Sequence, residues 1–156
     1  MRKSLLGPDS RKTNEAATDW IDLCEQTTAE ISSEDHLHPL EDALRLGTEG
    51  GWRASTPGPQ QIRLKFDSPQ HIRRIKLEFT ETQVSRSQEF ALFVTTAREP
   101  RREILRQQWS FSPSGSTTEL EDYKVDLPGV TVIDLELDPG RHDAGVFASL
   151  QALLIG

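Results

Sequence analysis

From Ile62 onward the chain alternates between apolar and charged positions. Ile62, Leu64 and Phe66 share one parity and Arg63 and Lys65 the other, and Ile75, Leu77 and Phe79 repeat the pattern against Lys76 and Glu78. A period of two sends successive side chains to opposite faces of a strand, so each segment has one face for a core and one for water. Both triplets are expected in one core, with Arg63, Lys65 and Lys76 outside it, because a one-residue shift would invert every side chain. Asp67, Ser68 and Pro69 between them read as a turn. Further strands are read at 89–95, 103–111, 120–127, 130–137 and 146–155. Pro100, Ser112-Pro113-Ser114-Gly115, Pro128-Gly129 and Pro139-Gly140 punctuate them. The last strand is apolar on both parities and is expected to lie centrally, covered by the second sheet and by the segment around Trp20.

Before residue 60 the pattern differs. A first strand is read at 27–33, followed by a short helix at 39–46 with Pro39 at its first position, Glu41 and Asp42 in the first turn, Arg45 in the last and Gly47 after it. Leu40, Ala43 and Leu44 give it one apolar stripe, suited to plugging the end of a sandwich. Many short strands with one helix predict an all-β fold, an antiparallel β-sandwich of jelly-roll type, over residues 19–156. Residues 1–18 are polar, without apolar periodicity, and read as a flexible tail.

Composition bounds the function more than it names it. At 35% hydrophobic and 28% charged residues the chain suits one globular domain. Cys24 is the only cysteine, which excludes an intrachain disulfide framework or a cysteine-based zinc cluster. The apolar run near the start is only Leu5 and Leu6, too short for a secretory signal, and no stretch approaches a membrane span, so a cytoplasmic protein with no membrane partner is expected. The net charge of −7 disfavours nucleic acid as a partner, since that affinity rests on neutralising phosphates. Ten basic residues against six acidic ones between Gln60 and Ser110 leave a basic belt of Arg63, Lys65, Arg74 and Lys76 to be placed.

Candidate chemistry is sparse. His36 and His38 could share a metal in an extended segment, but no third ligand stands nearby, and they read as exposed turn residues. Glu119/Glu121 and Asp134/Glu136 have the spacing of paired carboxylates and read as solvated outer faces of strands. No nucleophile elbow, phosphate loop or dinucleotide fingerprint is present, so no enzyme, cofactor or metal is expected. Aromatic residues are the better lead, because a sugar stacks its apolar face on a ring while Arg, Gln and hydroxyl groups read its edges. Trp52 lies in the corner GGWRAS, and Trp109 lies just before a Ser/Pro/Gly loop. The candidate ligand-binding group is Arg53, Trp109, Ser112, Ser114 and Ser116, on the reasoning that a sandwich binds with the loops its sheets position.

The order Ser32-Ser33-Glu34-Asp35, Pro39 to Leu44, Gly51-Trp52-Arg53-Ala54 and Gln61 to Phe66 resembles the opening of discoidin (coagulation factor type C) domains, which are galactose-binding-like sandwiches. It is also similar to the amino-terminal domain of the eukaryotic single-strand-break repair scaffold, with Ser110-Phe111-Ser112-Pro113 matching a later segment, and to small bacterial proteins of this fold described as carbohydrate-binding-like. The resemblance implies a non-catalytic binding module for a carbohydrate-like ligand or, alternatively, an intracellular protein-interaction domain. Discoidin-type lectins often hold calcium in an Asp-Gly-Asp-like loop after the helix. Here Gly47-Thr48-Glu49-Gly50-Gly51 stands there without the charged oxygens calcium needs, so stability independent of calcium and zinc is expected.

Overall fold

The computed structural model describes residues 19–82, 86–112, 114–115, 117–140 and 145–156; the tail read at 1–18 lies outside them. In chain order the elements are α1 (Leu23–Gln26), β1 (Thr27–Ile31), α2 (Glu41–Leu44), β2 (Trp52–Arg53), β3 (Gln60–Thr80), β4 (Arg86–Thr96), β5 (Arg102–Phe111), β6 (Thr118–Asp138), β7 (Ser149–Leu150) and β8 (Ala152–Ile155). The fold is the expected antiparallel β-sandwich; the helix read at 39–46 is the single turn α2, and α1 is a second short helix that was not read. No described helix is long and apolar enough to cross a membrane.

The two long strands build both layers. Residues 60–65 of β3 pair with 132–137 of β6, and residues 74–80 pair with 118–124, with register shifts between Lys65, Gln70, Ile72 and Arg74. At those irregularities the hairpin bends out of one sheet and into the other, as strands do at sandwich corners. The first layer runs β1-β3-β6-β4-β5, and in the second β8 pairs with the other half of β3. Phe79 of the second layer stacks on Phe90 of the first with ring centroids 5.5 Å apart, so the layers meet face to face.

The expected core forms. Ile62, Leu64, Phe66, Ile75, Leu77 and Phe79 are all buried, while Lys65 is exposed and Arg63 and Lys76 are half-exposed. Three readings need correction. Asp67, Ser68 and Pro69 do not end a strand; they are the exposed bend of one continuous β3, where the backbone leaves one ladder before joining the next. The closing segment is not one central strand. It is β7 and β8 with Gln151 between them, and β8 is an edge with β3 as its partner. Its second apolar parity is explained by cover: Leu154 and Ala152 share a cleft with Arg45, Leu46, Gly47 and Thr48 after α2, and the Ile21 N–H donates to the Ile155 carbonyl (2.7 Å).

The third correction concerns β6. Glu119, Glu121 and Tyr123 stand directly opposite Phe79, Leu77 and Ile75, so they share the inward parity and are half-buried, while Leu120 faces outward at 54% exposure. This inversion holds because the strand edges the second layer, where an inward side chain still reaches water past the rim.

Candidate functional site

One end of the sandwich is built around a backbone knot. The Asp35 N–H donates to the Arg53 carbonyl (2.8 Å) and the Arg53 N–H to the His38 carbonyl (3.2 Å), so one edge of β2 is tied twice to the 35–38 turn. On its other edge β2 pairs with β7, Trp52 opposite Leu150 and Arg53 opposite Ser149, and the Ala54 N–H donates to the Ala148 carbonyl (2.9 Å). Trp52 is 1% exposed, and its indole N–H donates to the Ser33 carbonyl (3.2 Å), so this ring seals the end. Ser33 Oγ accepts from the Ser55 and Thr56 N–H groups (3.0 and 3.3 Å) and donates to Gln60 Oε1 (2.8 Å), pinning the following turn.

On this frame Arg53 is exposed, its guanidinium 5.9 Å from the centroid of the Phe147 ring. Asp35, Ala54 and Ser55 complete a cleft of about 350 Å³ with them. The Asp35 carboxylate accepts from the Leu37 N–H (3.0 Å), and this bond, aided by His38 Nδ1 at 3.4 Å, holds its pKa below the usual carboxylate range. A ring beneath a guanidinium, beside a fixed carboxylate and a free hydroxyl, is an arrangement for a polyhydroxylated ligand: apolar face on the ring, donors and acceptors at the edge. On its other side Arg53 lines a second, smaller hollow with His38, Thr80, Glu81 and Gln151.

Of the group read from sequence, Arg53 stands at this cleft. Ser112 and Ser114 lie in the β5–β6 connection, their hydroxyls 3.3 Å apart, and Ser116 lies outside the described residues. That connection reaches the same end, since the Glu81 N–H donates to the Thr117 carbonyl (2.8 Å) beside the hollow that Arg53 lines. Trp109 is elsewhere. Its ring is half-buried between the layers, with centroids 4.6, 5.6 and 5.8 Å from Phe79, Phe90 and Phe111. Sequence reading missed Phe147, which lay inside an apolar run taken for a strand; Gly145 just before it, at φ +60°, was the signal that the run opens in a loop.

His36 and His38 both turn toward Asp35, at 3.6 and 3.4 Å, and no group of three or more metal-ligating residues occurs among the described residues. The basic belt is divided between the layers, and three of its four members are paired. Arg63 and Lys65 lie on the first layer against Asp134 (2.7 Å) and Glu30 (2.9 Å), and Arg74 lies on the second against Asp122 (2.6 Å).

No protein-family model and no curated protein matches the chain. Solved structures do. The family 32 carbohydrate-binding module of Clostridium perfringens NanJ, in complex with galactose, superposes with a TM-score of 0.57 at 15% identity, over 87% of this chain and 96% of that one. The fold is shared with family 32 carbohydrate-binding modules. A second such module from C. perfringens, in complex with GalNAc-β-1,3-galactose, gives 0.58 at 18% identity over 88% and 99%. Reduced XRCC1 bound to the DNA polymerase β catalytic domain gives 0.59 at 12% identity over 84% and 94%. Both likenesses anticipated from the sequence therefore recur at the level of the fold.

Proposed function

We propose that this protein is a non-catalytic carbohydrate-binding module that holds a neutral sugar in the cleft of Arg53, Phe147, Asp35 and Ser55. The Arg53 guanidinium over the Phe147 ring carries this reading, because it joins a stacking surface to a hydrogen-bonding edge on a backbone that cannot drift. Ser112 and Ser114 of the β5–β6 connection flank the same end and add hydroxyl groups for further sugar units. The galactose-bound and GalNAc-β-1,3-galactose-bound structures of the same fold make galactose and N-acetylgalactosamine the first sugars to try. The experiment is calorimetric titration of both against the protein and against Phe147→Ala. Phe147 is half-exposed, so its removal is expected to abolish binding while the melting temperature changes little. Binding unchanged in Phe147→Ala refutes the site.

A second reading, a protein-interaction domain in the cell interior, draws support from the free outer edge of β5 and from Leu37 and Leu46 at 70% and 65% exposure. Its partner would engage those residues, and Phe147→Ala would leave it unaffected.

A further inference from the structure

The two long sides of the sandwich are unlike. On one, Leu23 of α1 is fully buried, and Ile21 and Cys24 pack on the core, closing the gap beside β1 and β8. On the other, no helix or strand among the described residues lies between β5 and the first half of β6. Each is a border strand, β5 paired with β4 and residues 118–124 paired with β3, and the two are not hydrogen-bonded neighbours.

Polar groups crowd the inward faces along this open side. From β6 come Glu119, Glu121 and Tyr123, with the Tyr123 hydroxyl donating to Glu121 (2.8 Å). From β5 come Gln107, on the inward parity opposite Phe90, and Trp109, whose ring lies 4.6 Å from Phe79, the cross-strand neighbour of Glu119. Two donors here lack acceptors: the Trp109 indole nitrogen and the amide nitrogen of Gln88 are buried with no hydrogen-bond partner. Gln88 is 0% exposed and stands directly opposite Trp109 on the inward parity. Its Oε1 already accepts from Arg86 (2.7 Å), which fixes the amide orientation and leaves the nitrogen as the orphan. A buried donor without an acceptor is costly, so two on cross-strand partners mark a place built for an acceptor.

We propose that this open side, lined by Gln107, Trp109, Glu119, Glu121 and Tyr123, is a second ligand site that takes a neutral saccharide. The donor set excludes a simple cation, which would leave the indole and amide N–H groups unsatisfied, and the paired glutamates repel an anion. A hydroxyl group both donates and accepts, so a sugar can give hydrogen bonds to the glutamates and receive them from the indole. The neighbouring Glu121, together with partial burial, pushes the Glu119 pKa up. The site is independent of the Arg53 cleft and shares no residue with it.

The test is tryptophan-indole NMR on ¹⁵N-labelled protein, with the Trp20, Trp52 and Trp109 signals assigned by single Trp→Phe variants. The probes are galactose, glucose and lactose at millimolar concentration. One of them is expected to move the Trp109 indole signal, and to do so equally in Arg53→Ala. Glu121→Gln and Trp109→Phe, the latter keeping a ring but losing the donor, are each expected to weaken that binding by about tenfold. Three results overturn the proposal: no probe moves the Trp109 signal; the shift disappears in Arg53→Ala, which leaves the end cleft as the sole site; or Trp109→Phe binds as tightly as the parent, which leaves only a trapped water at the indole.

Discussion

Replacing Gly51 by Ala should damage the binding end far more than the same change at Gly47, four residues earlier in the same loop. Both glycines have positive φ, +77° at Gly47 and +58° at Gly51. An L-residue pays about 1–2 kcal/mol in that region, partly offset by about 0.4–1 kcal/mol from a less free unfolded chain, so the conformational cost alone is about 1 kcal/mol at either site. Their surroundings differ. A Cβ at Gly47 meets nothing within 4 Å, whereas at Gly51 it lies 2.4 Å from the Leu150 carbonyl oxygen and 2.8 Å from the Gln151 Cα. Those are backbone atoms and cannot rotate away, so β7 must separate from β2. That opens the Trp52–Leu150 and Arg53–Ser149 pairings and strains the Ala54 to Ala148 hydrogen bond. At about 1 kcal/mol net per lost bond, Gly51→Ala should cost about 3–4 kcal/mol in all. For a domain of this size the melting temperature should fall by roughly 10 °C, against about 3 °C for Gly47→Ala. Urea unfolding of the two variants measures the difference, and galactose titration at a temperature where both are folded reads the cleft. Equal stabilities for the two variants would refute the close-approach reasoning. Full sugar binding by a destabilised Gly51→Ala would sever the link between the β2–β7 pairing and Arg53.

Two further outcomes follow from the charges. The Glu119 carboxyl titrates above its unfolded value of about 4.3, so the native state holds more protons than the unfolded chain between those two values. Stability should therefore rise as pH falls through that window, and Glu119→Gln should flatten the slope, as urea melts at about pH 5 and about pH 7 will show. Nicked DNA should not bind with sub-micromolar affinity at about 0.15 M salt, because Arg63, Lys65 and Arg74 face carboxylates and few cations remain to displace counterions; fluorescence anisotropy over a salt series is the measurement.

The core of the sandwich was legible because its period is strict. Ile62 to Phe66 and Ile75 to Phe79 keep the apolar parity that burial demands, and no loop chemistry competes there. The join between them was not legible, since Asp67, Ser68 and Pro69 are equally suited to a turn and to an exposed bend within one strand. Parity failed on the first half of β6, where Leu120 faces water and two glutamates face inward, because a border strand is not obliged to follow the rule a covered strand obeys. At the candidate site the sequence singled out Arg53 through its Trp-Arg corner. Phe147 stayed hidden, because Gly145 marks only that the run opens in a loop and not which ring that loop offers to a cleft.

The bent hairpin of β3 and β6 also governs how this domain assembles. Its halves are joined in sequence by everything from residue 81 to 117, and pairing Gln60 with Leu137 closes a loop spanning half the chain. Such distant pairings must be bought with chain entropy before any of them is rewarded, which places the domain among slow folders. Because the same two strands carry both layers, neither layer can melt while the other persists. Amide exchange along the whole hairpin should report one global opening, and a site resting on its ends inherits the stability of the entire fold.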